Sequence, residues 1–147
     1  MKSELLVGFV ALMTVFFSCS GRRPSNIGAV DGRLRPCPES PNCVSSQAEG
    51  VGHFIDPIRY SGDLAGAREK LLRIVRSMKR ATVVTEEEGY LCAEYRSALF
   101  RFVDDVEFLF DDAKKMIHVR SASRVGYGDM GVNRKRIEKI RELFGGE

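Results

Sequence analysis

Two runs of alternating apolar residues joined by a short polar turn limit what this chain can fold into. Val106, Phe108 and Phe110 alternate with Asp105, Glu107 and Leu109; after a turn at Asp111 to Lys115 the pattern resumes at Ile117, Val119, Ser121 and Ser123. Alternation with period two describes half-buried antiparallel strands. Setting Phe110 against Ile117 fixes the register. Phe108 then faces Val119, Val106 faces Ser121 and Asp104 faces Ser123 on the inner side, while Glu107 faces Arg120 and Val103 faces Arg124 on the outer side.

The remaining pattern supplies partners for this pair. Leu64, Ala67, Leu71, Ile74, Val75 and Met78 recur at helical spacing, predicting an amphipathic helix from about Asp63 to Lys79. Thr82 to Glu86 and Tyr90 to Arg96 read as a hairpin around Glu88 and Gly89, and His53 to Tyr60 as a leading strand. Val132, Ile137, Ile140 and Phe144 mark a terminal helix stopped by Gly145 and Gly146. No glycine or proline shows where Ser97 to Phe102 turns. The economical assembly is an α+β domain: an antiparallel sheet of about four to five strands with two helices packed on one face. At 147 residues and 44% hydrophobic content the chain has room for one such core.

The N-terminus reads as an address. Leu5 to Phe17 carry no charge, and thirteen residues of helix span about 20 Å, short of the roughly 30 Å of a bilayer core. Residues 1–18 therefore read as an export signal. Ser18 followed by Cys19 resembles the lipobox of bacterial lipoproteins, which implies acylation of Cys19, palmitate included, and a mature chain starting there. Ser20 after the cysteine, by likeness to lipoprotein sorting in Gram-negative cells, favours the outer membrane. The expected location is the cell envelope, held by lipid and facing the periplasm. Residues 19–35, which continue as SGRRPSNIGAVDGRLR from Ser20, have turn-forming composition and no apolar period, and read as a flexible tether. Residues 36–147 form the domain.

Cys37 and Cys43 bracket a proline-rich turn and, in an exported chain, most simply form a disulfide. Two thiolates without a nearby histidine make an incomplete ligand set, so no metal is expected. Cys92 lies in an apolar stretch and reads as a small buried hydrophobe.

Three segments carry a family resemblance: CPESPNCVSS from Cys37, FRFVDDVEF from Phe100 and RSASRVGYGDMGVNR from Arg120. In this order they resemble the family known as domain of unknown function 1499, over about Leu34 to Phe144. The resemblance supplies identity without chemistry, and no functional residue is carried over from it.

The candidate site comes from the residues themselves. Glu107 and Arg120 read as a cross-strand ion pair, worth under about 1 kcal/mol if exposed. Asp104 points inward and must find donors. Ser123 and the following turn, with Arg134, would supply them, making Asp104 a brace; the alternative is an acid or base in a cleft beside residues 124–134. In that segment Gly126, Gly128 and Gly131 free the backbone, and Asp129 or Asn133 would cap the last helix. Arg124 and Arg134 add donors for a carboxylate or phosphate. Nucleophile, metal-cluster and dinucleotide motifs are missing, so no cofactor is expected. His53 and His118 belong to no motif, and His118 reads as solvated on the outer strand face. Net charge is only +3, and Glu138 and Glu142 interrupt the basic run Arg134-Lys135-Arg136, which argues against nucleic acid. The reading is a non-catalytic envelope lipoprotein binding an anionic small ligand or a protein partner, with an extracytoplasmic enzyme using Asp104 as the alternative.

Overall fold

A computed structural model describes residues 21–146. The signal segment and Cys19 lie outside the described residues. Eight strands and two helices follow in order: β1 (Ala29–Val30), β2 (Arg33–Leu34), β3 (Cys43–Ser45), β4 (Ile58–Arg59), α1 (Leu64–Ser77), β5 (Ala81–Glu86), β6 (Tyr90–Arg96), β7 (Val103–Asp111), β8 (Met116–Ser123) and α2 (Val132–Gly145). The main sheet is antiparallel and six-stranded, in the order β3-β8-β7-β6-β5, with β4 also paired to β8. The expected four to five strands are exceeded by β3, three residues long, which covers one stretch of the β8 edge; β4, two residues long, falls inside the leading strand expected over His53 to Tyr60 and covers the next stretch. A strand as short as β3 carries no readable period.

The β7–β8 register is the one the alternation predicts, from Phe110 against Ile117 to Asp104 against Ser123. The β6–β7 turn closes without glycine: Ser97 N–H donates to the Phe102 carbonyl, and Arg101 takes a left-handed φ of 55°. Asp63 caps α1 by accepting from Gly66 N–H at 2.7 Å. Leu71, Ile74 and Val75 of α1 and Ile137, Ile140 and Phe144 of α2 join Val106, Phe108, Ile117 and Val119 of the sheet in one buried cluster.

The outer face of the sheet is covered as well. Residues 21–35, read from composition as a tether, lie against it. β1 and β2 form a two-residue ribbon, and Leu34 is buried. Beneath this segment Glu107 is fully buried. Its carboxylate accepts from Arg120 Nη1, Tyr90 Oη and Gly28 N–H, each at 2.8 Å. The Glu107–Arg120 pair is thus a buried one, contrary to the exposed pair its strand position suggested, because nothing in strand periodicity reveals the covering segment. His118 is likewise half-buried, with Nδ1 3.3 Å from Ser46 Oγ, because the residue following β3 lies over it. Burial pushes its pKa down.

Two outcomes follow from this face. Glu107→Ala strands the Arg120 guanidinium in the interior and is expected to lower unfolding free energy by about 3–5 kcal/mol, read by urea denaturation. Cys92, fully buried beside Glu107, has its thiol pushed up to about 11 by burial first and the Glu107 charge second. At pH 8 its alkylation in the folded chain should run on the order of 10² slower than in urea, measured by the mass of the peptide that contains it.

Candidate functional site

β7 carries adjacent aspartates whose side chains leave on opposite faces. Outward, Asp105 holds Arg124 in a fork, with Nε to Oδ2 and Nη2 to Oδ1 both at 2.7 Å, and Glu94 of β6 accepts from the same Nη2. The Asp105 hydrogen bond, opposed by burial and aided by Glu94, keeps the guanidinium pKa above its ordinary value. Inward, Asp104 Oδ2 accepts from Arg136 Nη2 of α2 at 2.6 Å.

Arg136, the last member of the basic run Arg134-Lys135-Arg136, joins the domain's buried polar centre. Its Nη1 donates to Asn133 Oδ1 at 2.7 Å and to Ser121 Oγ at 3.1 Å, and its guanidinium lies 4.7 Å from the centre of the Tyr95 ring. Asn133 is completely buried; its amide donates to the Asn42 carbonyl at 3.1 Å and to Ser123 Oγ at 3.0 Å. Ser123, expected to serve Asp104, therefore serves Asn133. Asn42 Nδ2 donates to the Gly126 carbonyl at 2.6 Å. Asn42 belongs to the loop closed by the Cys37–Cys43 disulfide, so this network joins the three sequence motifs at one end of the sheet.

The residues of 124–134 singled out for an anion make contacts within the chain itself. Arg134 donates to the carbonyls of Phe54 at 2.8 Å and Gly52 at 3.3 Å. Gly126 and Gly131 take φ of 88° and 76°, values that favour glycine, whereas Gly128 does not. Asp129 Oδ2 accepts from Asn133 N–H at 2.8 Å and Oδ1 from Gly131 N–H at 3.0 Å, so the first turn of α2 already has its acceptor. Burial pushes the Asp129 carboxyl up, but the backbone donors Asn133 and Gly131 outweigh it and hold it below the usual range.

An open cleft of about 480 Å³ lies on the other side of the α2 N-terminus. Lys79 and Arg80 from the turn between α1 and β5, Arg96 from β6, and Lys135 and Arg136 from α2 line it, with Asp104 as its one carboxylate among the described residues. Tyr95 and Val132 form apolar wall. Arg80 takes a left-handed φ of 61° and donates from Nε to the Arg96 carbonyl at 3.0 Å, which fixes the corner between α1 and β5. Lys79 and Lys135 have no acidic partner among the described residues. Arg96 is paired with Glu94 and Arg136 with Asp104. Sequence reasoning missed this cleft. Its signal was basic residues at three element boundaries, Lys79-Arg80, Arg96 and Lys135-Arg136, which the fold brings to one end of the sheet.

The cap sets a pH dependence. A carboxyl whose folded pKa is depressed stabilises above its unfolded pKa and loses that contribution as pH falls through the folded value. Asp129→Ala is expected to cost about 1 kcal/mol at pH 7. The difference from the parent chain should shrink below about pH 4, as read from urea midpoints at both pH values.

No curated protein matches the chain. The model of the family described as protein of unknown function (DUF1499) matches residues 33–144, a stretch holding all three motifs, α1, all but the last residue of α2 and the whole six-stranded sheet. The chain belongs to that family.

Proposed function

We propose that this chain is a membrane-anchored, extracytoplasmic lipoprotein whose domain binds an anionic group without catalysis. The cleft at the start of α2 is the binding site, in place of the 124–134 loop. One observation carries the reading: five cationic side chains converge on about 480 Å³ against a single carboxylate, and that carboxylate is already occupied by Arg136. Cations gathered in a partly desolvated concavity attract an anion more strongly than the same charges spread over a convex surface. Arg80 and Arg96 supply planar donors suited to carboxylate or phosphate, and Lys79 and Lys135 supply point charges. Among the described residues the cleft is lined by no histidine, cysteine or second carboxylate, which supports binding over proton transfer. The Cys37–Cys43 disulfide supports residence in an oxidising compartment, and the uncharged Leu5–Phe17 run ahead of Ser18-Cys19 supports export and acylation.

The test is a chemical-shift titration of the full chain with inorganic phosphate. Phosphate should shift the amides of residues 79–80, 96–98 and 132–136. Arg80→Ala combined with Lys135→Ala should weaken binding on the order of tenfold or more, with cooperative unfolding retained. An unchanged affinity in that variant, or no shifts in the parent chain, overturns the site.

A further inference from the structure

Seven of the ten large hydrophobic side chains exposed among the described residues sit at one end of the sheet, so their placement is not a random scatter. Met130 is 92% exposed, Leu99 80%, Tyr127 79% and Phe100 62%. They belong to two loops, 97–102 and 124–131, that extend past the same strand ends. Asp104 pairs with Ser123, and the Arg124 N–H donates to the Val103 carbonyl at 3.0 Å. The rings of Phe100 and Phe102 stack at 5.5 Å, which organises one of the tips. The cationic cleft opens at this end too, sharing Ser97 and Ala98 with the first loop and reaching Val132 just after the second, and Arg101 is exposed between the apolar tips.

The chain also arrives here. A Cβ placed on Gly21, the first described residue, would stand 3.1 Å from Val125 Cγ1 and 3.2 Å from Arg124 Cβ. Cys19 is two residues earlier, and two residues span at most about 7 Å. A membrane that holds the N-terminus is therefore within reach of the loop that carries Tyr127 and Met130.

We infer that this end of the sheet docks on a membrane surface containing anionic phospholipid, the apolar tips entering the interface and the cleft cations meeting headgroup phosphates. Exposed aromatic and aliphatic tips flanked by arginine and lysine are the composition that binds such a surface. The inference rests on the cleft's being an anion site and on the N-terminus being membrane-held.

The chain has no tryptophan, so a single indole reports its own surroundings. Full-length protein is reconstituted into vesicles of phosphatidylcholine alone, or of phosphatidylcholine with phosphatidylglycerol, each carrying brominated acyl chains. Tyr127→Trp places the reporter at the apolar end, and Ala113→Trp places it in the exposed β7–β8 turn at the opposite end. In the anionic vesicles the indole at 127 should lose at least half its emission and the one at 113 should be unaffected. Arg80→Ala with Lys135→Ala, or Leu99→Ser with Phe100→Ser, should reduce the quenching at 127 at least threefold. Equal quenching in phosphatidylcholine alone overturns the anionic requirement. A chain that floats with the vesicles and binds inorganic phosphate, yet leaves position 127 unquenched, overturns docking while the cleft stands. A chain that does not float overturns docking and anchoring together.

Discussion

A carboxylate removed from water must be met by charge and by hydrogen bonds, and the Glu107 side chain is where this fold meets that demand. Its three donors come from three different parts of the chain: Arg120 on the strand at one side, Tyr90 on the strand at the other, and the Gly28 backbone in the N-terminal segment. The sheet's second face is closed by satisfying this one group, and the rest of the molecule follows from having both faces covered. With the outer side sealed, the polar groups of β7 and β8 at the far end have only two places to go. Asp105 and Arg124 neutralise one another outward, and Asp104 turns inward to α2.

The inward branch organises the end of the domain beside the cleft. Asn133 is buried with donors and acceptor engaged, and it ties the disulfide loop, the end of β8 and the first turn of α2 into one body. Such a fully satisfied buried network holds its members rigidly. The cleft beside it is consequently shaped by fixed backbone corners, with Arg80 and Arg96 locked together through their main chains and Lys79 and Lys135 left to vary in direction.

Much of this was legible from the residues. The β7–β8 register can be read from Phe110 and Ile117, because a one-residue slip would turn every apolar side chain to the wrong face. The two helices, the β5–β6 hairpin and the Cys37–Cys43 disulfide follow from periodicity, turn chemistry and cysteine spacing. What escaped was whatever depends on a distant, aperiodic segment. β3 is too short to show alternation, and residues 21–35 have the composition of a linker although they cover Glu107. The site was only partly legible for a related reason. Arg124 and Arg134 stand out in a glycine-rich loop, but their partners Asp105, Glu94, Gly52 and Phe54 come from other elements, and those contacts occupy them. The cations that line the cleft looked unremarkable because each sits at the boundary of a different element.

The course of residues 21–35 changes how the domain stands relative to whatever holds its N-terminus. A free linker of that length would let a domain wander over an r.m.s. distance of about 21 Å. Here that slack is taken up: Gly21 lies against Val125, Gly28 is hydrogen-bonded to Glu107 and Leu34 is buried. The segment behaves as a strut, and a lipid at Cys19 would give the domain a fixed height and a fixed heading at the surface. Molecules that meet the cleft would have to come to that surface, since the domain could not reach out to gather them.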